Sequence, residues 1–176
     1  MAAWEDADDA EQERRARALA SPLRMRILRL CLHEARTNKE LAAELDINPG
    51  TLLHHVRSLV STGFLVAEDA RPGPRGAREI PYRATGRSWR SGGQAMGPTL
   101  VETFLQEIEG LPAEDVHITR LGVKLNESNR RELVNRFHAL FEEYKDRGPD
   151  PDGSPISLMF AEHPELPRAE RGASRR

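Results

Sequence analysis

The sequence predicts an α+β fold: a mainly helical first half carrying a β-hairpin, followed by a small α/β extension. Three observations predict it. Apolar residues recur at helical spacing in several runs before residue 63, most of them opened by a cap signal. A Pro/Gly segment, Arg71-Pro72-Gly73-Pro74-Arg75-Gly76, separates two short strand-like runs. Beyond a Gly/Ser-rich boundary at 88–98, helical and extended patterns alternate.

The elements follow in order. Residues 1–13 are acidic and expected to be disordered, and an Ala/Arg/Glu-rich helix follows from Glu11 to Leu19. Ser21-Pro22 reads as N-cap and first helical residue, because a proline there loses no hydrogen bond. Leu23, Ile27, Leu30 and Cys31 then mark a helix to about Glu34. Thr37-Asn38-Lys39-Glu40 fits a capping box. It opens a short helix with Leu41, Ala42 and Leu45 inward, ending near Asp46. Asn48-Pro49 repeats the cap-plus-proline signal. The helix it opens carries Leu52, Leu53, Val56, Leu59 and Val60 along one face and stops at Gly63. Phe64-Leu65-Val66 and Ile80-Pro81-Tyr82-Arg83 are the two strands, with Pro81 suggesting an edge. Two helices joined by a tight turn, then a basic hairpin, make a winged helix-turn-helix over 14–90, centred on Pro22 to Thr85.

Past the boundary, a helix from Thr99 to Glu109 lies within an expected dimerisation segment, 94–110. Its apolar face is Leu100, Phe104, Leu105 and Ile108. Residues 114–166 read as an α/β extension. Val116, Ile118, Val123 and Leu125 are extended, a long helix runs from an Asn126 or Ser128 cap to about Arg147, and Ile156–Phe160 forms a strand. Residues 167–176 are expected to be a disordered tail.

Composition limits the function classes. No run of eighteen apolar residues exists, so no membrane-spanning helix is expected. The acidic start is no secretory signal, and a lone cysteine, Cys31, suits a reducing cytoplasm. The net charge of −2 conceals a strong asymmetry: 14–90 holds fifteen Lys/Arg against seven Asp/Glu. A polyanion partner follows for that segment. No nucleophile elbow, phosphate loop or carboxylate pair stands out, so no enzyme and no cofactor are expected.

The outward face of the second helix of the pair carries Gly50, Thr51, His54, His55, Arg57 and Ser58. In a helix-turn-helix this helix enters the major groove and its first residues meet the bases. Gly50 permits close backbone approach. Thr51 and His54 reach base edges, while His55 and Arg57 reach phosphate or base. Asn48 completes that helix's N-terminus. Asn38 and Lys39 sit at a helix start whose free N–H groups favour phosphate. Arg71, Arg75 and Arg78 charge the hairpin. Double-stranded DNA is the expected partner.

These residues carry a resemblance. Thr37–Ala42, Asn48–Val56 with its His54-His55 pair, Leu59 and Gly63-Phe64-Leu65 resemble the ArsR-type winged helix-turn-helix regulators. Leu19–Leu28 and Tyr82-Arg83-Ala84-Thr85 extend the likeness over about half the chain. The resemblance implies a homodimeric repressor on an inverted-repeat operator, released by a small-molecule effector. Two departures stand out. The helix before the turn, Glu40–Leu45, lacks the Cys-x-Cys pair of the metal-sensing members. The chain also runs some seventy residues past the usual dimer helix, similar to an extension of actinobacterial-type ArsR-like regulators.

Metal readings are weaker than packing ones. Cys31 and His33, two apart on a helix, point to different faces, and His54 and His55 diverge by about 100°. His117, His138 and His163 are scattered, so no metal ligand is assigned. The alternatives are a metal-sensing repressor with an intersubunit site, or a winged-helix module docking on the transcription machinery. The arginines of the hairpin favour DNA over protein docking.

Overall fold

A computed structural model describes residues 3–73, 77–90 and 96–165. It divides into two units, Met1–His117 and Ile118–Arg176. The first contains α1 (Ala3–Leu19), α2 (Pro22–Leu30), β1 (Arg36–Thr37), α3 (Asn38–Glu44), α4 (Pro49–Ser61), β2 (Leu65–Ala67), β3 (Arg71–Pro72), β4 (Arg78–Glu79), β5 (Pro81–Ala84) and α5 (Gly97–Ile108). The second holds α6 (Glu127–Arg147).

Helix α1 overturns one expectation. The acidic start from residue 3 is helical rather than disordered. It is continuous with an Ala-rich stretch stitched by the i,i+4 pairs Glu11–Arg15 and Glu13–Arg17. At α2 the Ser21 hydroxyl makes no cap bond, so the start rests on Pro22 and the extended Ser21 backbone. The helix ends at Leu30 rather than near Glu34. The Cys31 carbonyl accepts from the Ala84 N–H at 2.9 Å, and the chain then peels away into β1.

The capping box forms in full. Thr37 Oγ1 accepts from the Glu40 N–H (3.2 Å) while the Thr37 N–H donates to Glu40 Oε2 (2.7 Å). Asn48 Oδ1 accepts from the Gly50 N–H at 2.8 Å and opens α4. At its far end, Phe64 N–H donates to Leu59 O and Gly63 N–H to Val60 O, a Schellman closure. It requires the positive φ of Gly63, 74°.

The buried stripe of α4 is narrower than its sequence suggests. Leu52, Val56 and Leu59 are fully buried, Leu53 half-buried and Val60 exposed. They pack with Leu19, Ile27, Cys31, Leu41, Phe64 and Leu65 in one core. Burial raises the Cys31 thiol to about 11, so it is an inert core residue.

The sheet corrects the edge assignment of Pro81. Strand order is β1-β5-β2, so β5 is central. Thr37 pairs with Pro81 and Leu65 with Ala84, both antiparallel. Proline is tolerated because it is the first strand residue and its carbonyl still accepts from Glu68 N–H at 2.9 Å. β3 and β4 form a separate two-stranded ribbon, closed by Gly73 N–H to Ala77 O. Helix α5 packs on α2, with Arg29 Nε 2.7 Å from Glu107. Residues 91–95 of the boundary expected at 88–98, and the tail from 167, lie outside the described residues.

In the second unit, Asn126 caps α6 by accepting from the Asn129 N–H at 2.9 Å. The strands expected at 116–125 and 156–160 are not paired in any ladder among the described residues. A strand pattern needs a neighbour at ladder distance, and neither segment has one here. The α/β reading of this extension therefore reduces to one helix with extended flanks.

Removing a core side chain of α4 should cost far more than removing one from α6. Leu59→Ala is expected to lower unfolding free energy by about 3 kcal/mol. Leu140→Ala, half-exposed on α6, should cost under ~1 kcal/mol. Urea denaturation of both variants checks the contrast.

Candidate nucleic-acid interface

Burying Leu52, Val56 and Leu59 turns the opposite face of α4 outward. Gly50, Thr51, His54 and Arg57 are exposed on it, with Ser58 half-buried beside them. At 100° per residue, His54 lies at the centre, with Arg57 and Ser61 continuing the line. Ser61 is exposed on this face and was not singled out from sequence. Its hydroxyl donates to the Ser58 carbonyl at 3.0 Å, and nothing in the sequence pattern marked it.

His55 stands apart. Its ring is 5.9 Å from that of His54, edge to face, and is half-buried. Burial first, then Arg24 and His54, hold its imidazole below its ordinary value, so it is neutral at pH 7. Its Nδ1 is enclosed without a partner. Arg24, not foreseen from sequence, donates to the backbone carbonyls of Arg17 (2.7 Å from Nη2) and Ala18, fastening the end of α1 to α2.

Several expected contacts are engaged within the protein. Asn38 Nδ2 donates to the Pro49 carbonyl at 2.9 Å, tying the start of α3 to the start of α4. Asn48 is the α4 cap. Arg71 Nη2 lies 2.5 Å from Glu40 Oε1, and Lys39 Nζ is 3.9 Å from Glu79 Oε1. These two ion pairs run from α3 to the ribbon strands β3 and β4. Glu40 is thus shared between the capping box and the ribbon. Arg57 and Arg78 are exposed, and no ion pair among the described residues engages either. Arg75, at the hairpin tip, lies outside the described residues.

On α5, Thr103 is the buried residue. Phe104 and Ile108 are half-buried, while Leu100 and Leu105 are exposed together with Val101. The apolar stripe is thus only partly covered by α2. Val101, missed from sequence, lies between Leu100 and Leu105 around the helix. Among the described residues no three His, Cys, Asp or Glu gather to hold a metal. No helix among them is long and apolar enough to cross a membrane.

Tight-turned helices with α4 presented outward, and an antiparallel ribbon beside α3, define a winged helix-turn-helix protein. Residues 19–67 match the family model described as a helix-turn-helix domain. The chain is similar to the homodimeric winged helix-turn-helix DNA-binding domain of Mb0332 from Mycobacterium bovis, a possible ArsR-family regulator. The identity is 22%, covering 66% of this chain and 94% of that one, with a TM-score of 0.41. An ArsR-like transcriptional regulator from Rhodococcus sp. RHA1 is 21% identical over 57% of this chain and 90% of that one, TM-score 0.40. Reduced HlyU from Vibrio cholerae N16961 is 16% identical over 61% and 97%, TM-score 0.37. No curated protein matches the chain.

The double role of Glu40 makes this site pH-dependent. The Thr37 N–H chiefly, then the Thr37 hydroxyl, Arg71 and Arg36, hold its carboxyl below the ordinary range, against an opposing effect of burial. A lowered folded value means its stabilisation is complete above the unfolded pKa and is lost as pH falls through the folded one. Glu40→Gln should therefore be less stable than wild type at pH 7, by only about 0.5 kcal/mol because the pair with Arg71 is solvent-screened and a glutamine can still cap. The gap should close in acid, as read by denaturation at a series of pH values.

Proposed function

We propose that this chain is a homodimeric, sequence-specific DNA-binding regulator of transcription of the ArsR type. It acts as a repressor on an inverted-repeat operator in the cytoplasm, without catalytic activity. The observation that carries this reading is the outward face of α4. It offers small and polar residues at its start, where a recognition helix meets bases, and a cation further along that no carboxylate among the described residues pairs with.

The roles divide by chemistry. Gly50 lets the α4 backbone approach DNA, and Thr51 and His54 read base edges. Arg57, Arg78 and Arg75 take phosphates. Lys39 joins them, since a 3.9 Å pair with Glu79 is loose enough to yield to a phosphate. Asn38 and Asn48 position α4, Arg71 positions the ribbon through Glu40, and neutral His55 sits at the flank of the face. The exposed Leu100 and Leu105, with Phe104 and Ile108, form the seam between copies. A two-fold dimer presents two α4 helices to two half-sites, which is why an inverted repeat suits it. No cysteine pair precedes the turn, so the effector that releases the operator is a small molecule rather than a metal bound there.

Fluorescence anisotropy against genomic fragments tests the reading, and failure to bind any fragment above non-specific affinity overturns it. Arg57→Ala should weaken binding to all sequences and make the plot of log affinity against log salt shallower by about 1. Thr51→Ala should instead flatten base preference at one position per half-site, by about 1–3 kcal/mol. Binding-site selection with the variant protein reads that preference directly.

A further inference from the structure

The second unit displays apolar side chains that nothing in it covers. None of its described residues is buried. Two extended segments lie against α6. Phe160 stacks on Phe137 with ring centroids 4.2 Å apart, and Arg130 donates to both carboxylate oxygens of Glu162 at 2.9 and 3.1 Å. On the other segment, Leu121, Val123 and Leu125 line a groove of about 280 Å³ with Leu133 of α6.

Both segments have the period of a strand. Leu121, Val123 and Leu125 alternate with Gly122 and Lys124, and Ile156, Leu158 and Phe160 repeat the spacing. Yet neither joins a ladder among the described residues. Segments of this pattern present edges that template pairing with another chain. A unit in which no described residue is buried has closed no core of its own.

We propose that this unit is a self-association element, which completes its fold against the same unit of a second copy of this chain. Segments 118–125 and 155–160 pair edge to edge with their counterparts across a two-fold axis, and the two α6 helices cover the joined sheet. The area selects this occupant. Ile118, Leu121, Val123, Tyr144, Ile156 and Leu158 are between 57% and 78% exposed. Side chains this open are the kind a standard interface covers, at about 800 Å² from each partner.

Chain length supports the same occupant. The inference rests on the homodimer proposed above. α5 ends at Ile108 and this unit begins at Ile118. Ten residues span at most about 35 Å. Copies joined at α5 therefore hold their second units at millimolar effective concentration. A two-fold contact of identical edges is self-complementary, as an isologous interface must be.

Hydrogen exchange of the full chain, followed by mass spectrometry across its monomer–dimer range, tests this. Amides of 118–125 and 155–160 should gain protection as dimer forms. Leu158→Asp changes a side chain exposed in the single copy and leaves the core of the first unit untouched. It should weaken self-association at least tenfold and release protection in both segments. Leu105→Glu at α5 should leave a weaker dimer in which both segments stay protected. A dimer whose 118–125 and 155–160 amides exchange freely overturns the inference while leaving the α5 dimer standing. Protection that is already present in the monomer, or that arises only when another macromolecule is added, also overturns it. A chain monomeric at every concentration overturns the homodimer itself, and this inference with it.

Discussion

Burial of Leu52, Val56 and Leu59 is the constraint on which the rest of the first unit depends. Three side chains spaced four and three apart hold α4 in one rotation about its axis. That rotation sets Thr51, His54 and Arg57 facing outward and leaves His55 at the flank. No hydrogen bond from the outward residues is needed to orient them. The orientation is a consequence of water being excluded from the opposite side.

The ends of α4 are fixed as firmly as its rotation. Asn48 and the Asn38 amide hold its start, and the Schellman closure at Gly63 returns the chain into β2. At that start the Asn38 Nδ2 and Asn48 Oδ1 atoms are bonded within the protein, while Thr51, His54 and Arg57 are exposed. The same division holds in the ribbon. Arg71 and Lys39 link it to α3 through Glu40 and Glu79, whereas Arg78 is left outward. A capping residue that also anchors the ribbon couples the start of α3 to β3.

Much of this was legible from the chain alone. The capping box at Thr37–Glu40, the Asn48 cap, the stop at Gly63 and the inward leucines are local signals, each decided within a few residues. The outward set on α4 followed from the same period. What misled were cases where a distant strand intervened. α2 stops early because Ala84 claims the Cys31 carbonyl, and Pro81 lies in a central strand because β1 arrives on its far side. Neither β1 nor its pairing has a signal in two residues of sequence. The strand pattern of the second unit was real as a pattern, but a pattern specifies a face and not a partner.

The sequence by itself determined the capping box at Thr37, the Asn48 cap, the stop at Gly63, the basic character of 14–90 and the outward Gly50, Thr51, His54 and Arg57 of α4. These depend on short-range periodicity and on side chains bonding to nearby backbone. Only the tertiary structure decided which of the candidate contacts are already engaged. Asn38 on Pro49, Arg71 on Glu40 and the half-buried position of His55 depend on elements that meet in space from separate parts of the chain. Charge and residue type name what a side chain can bond. Whether it is free to do so depends on what folding has placed beside it.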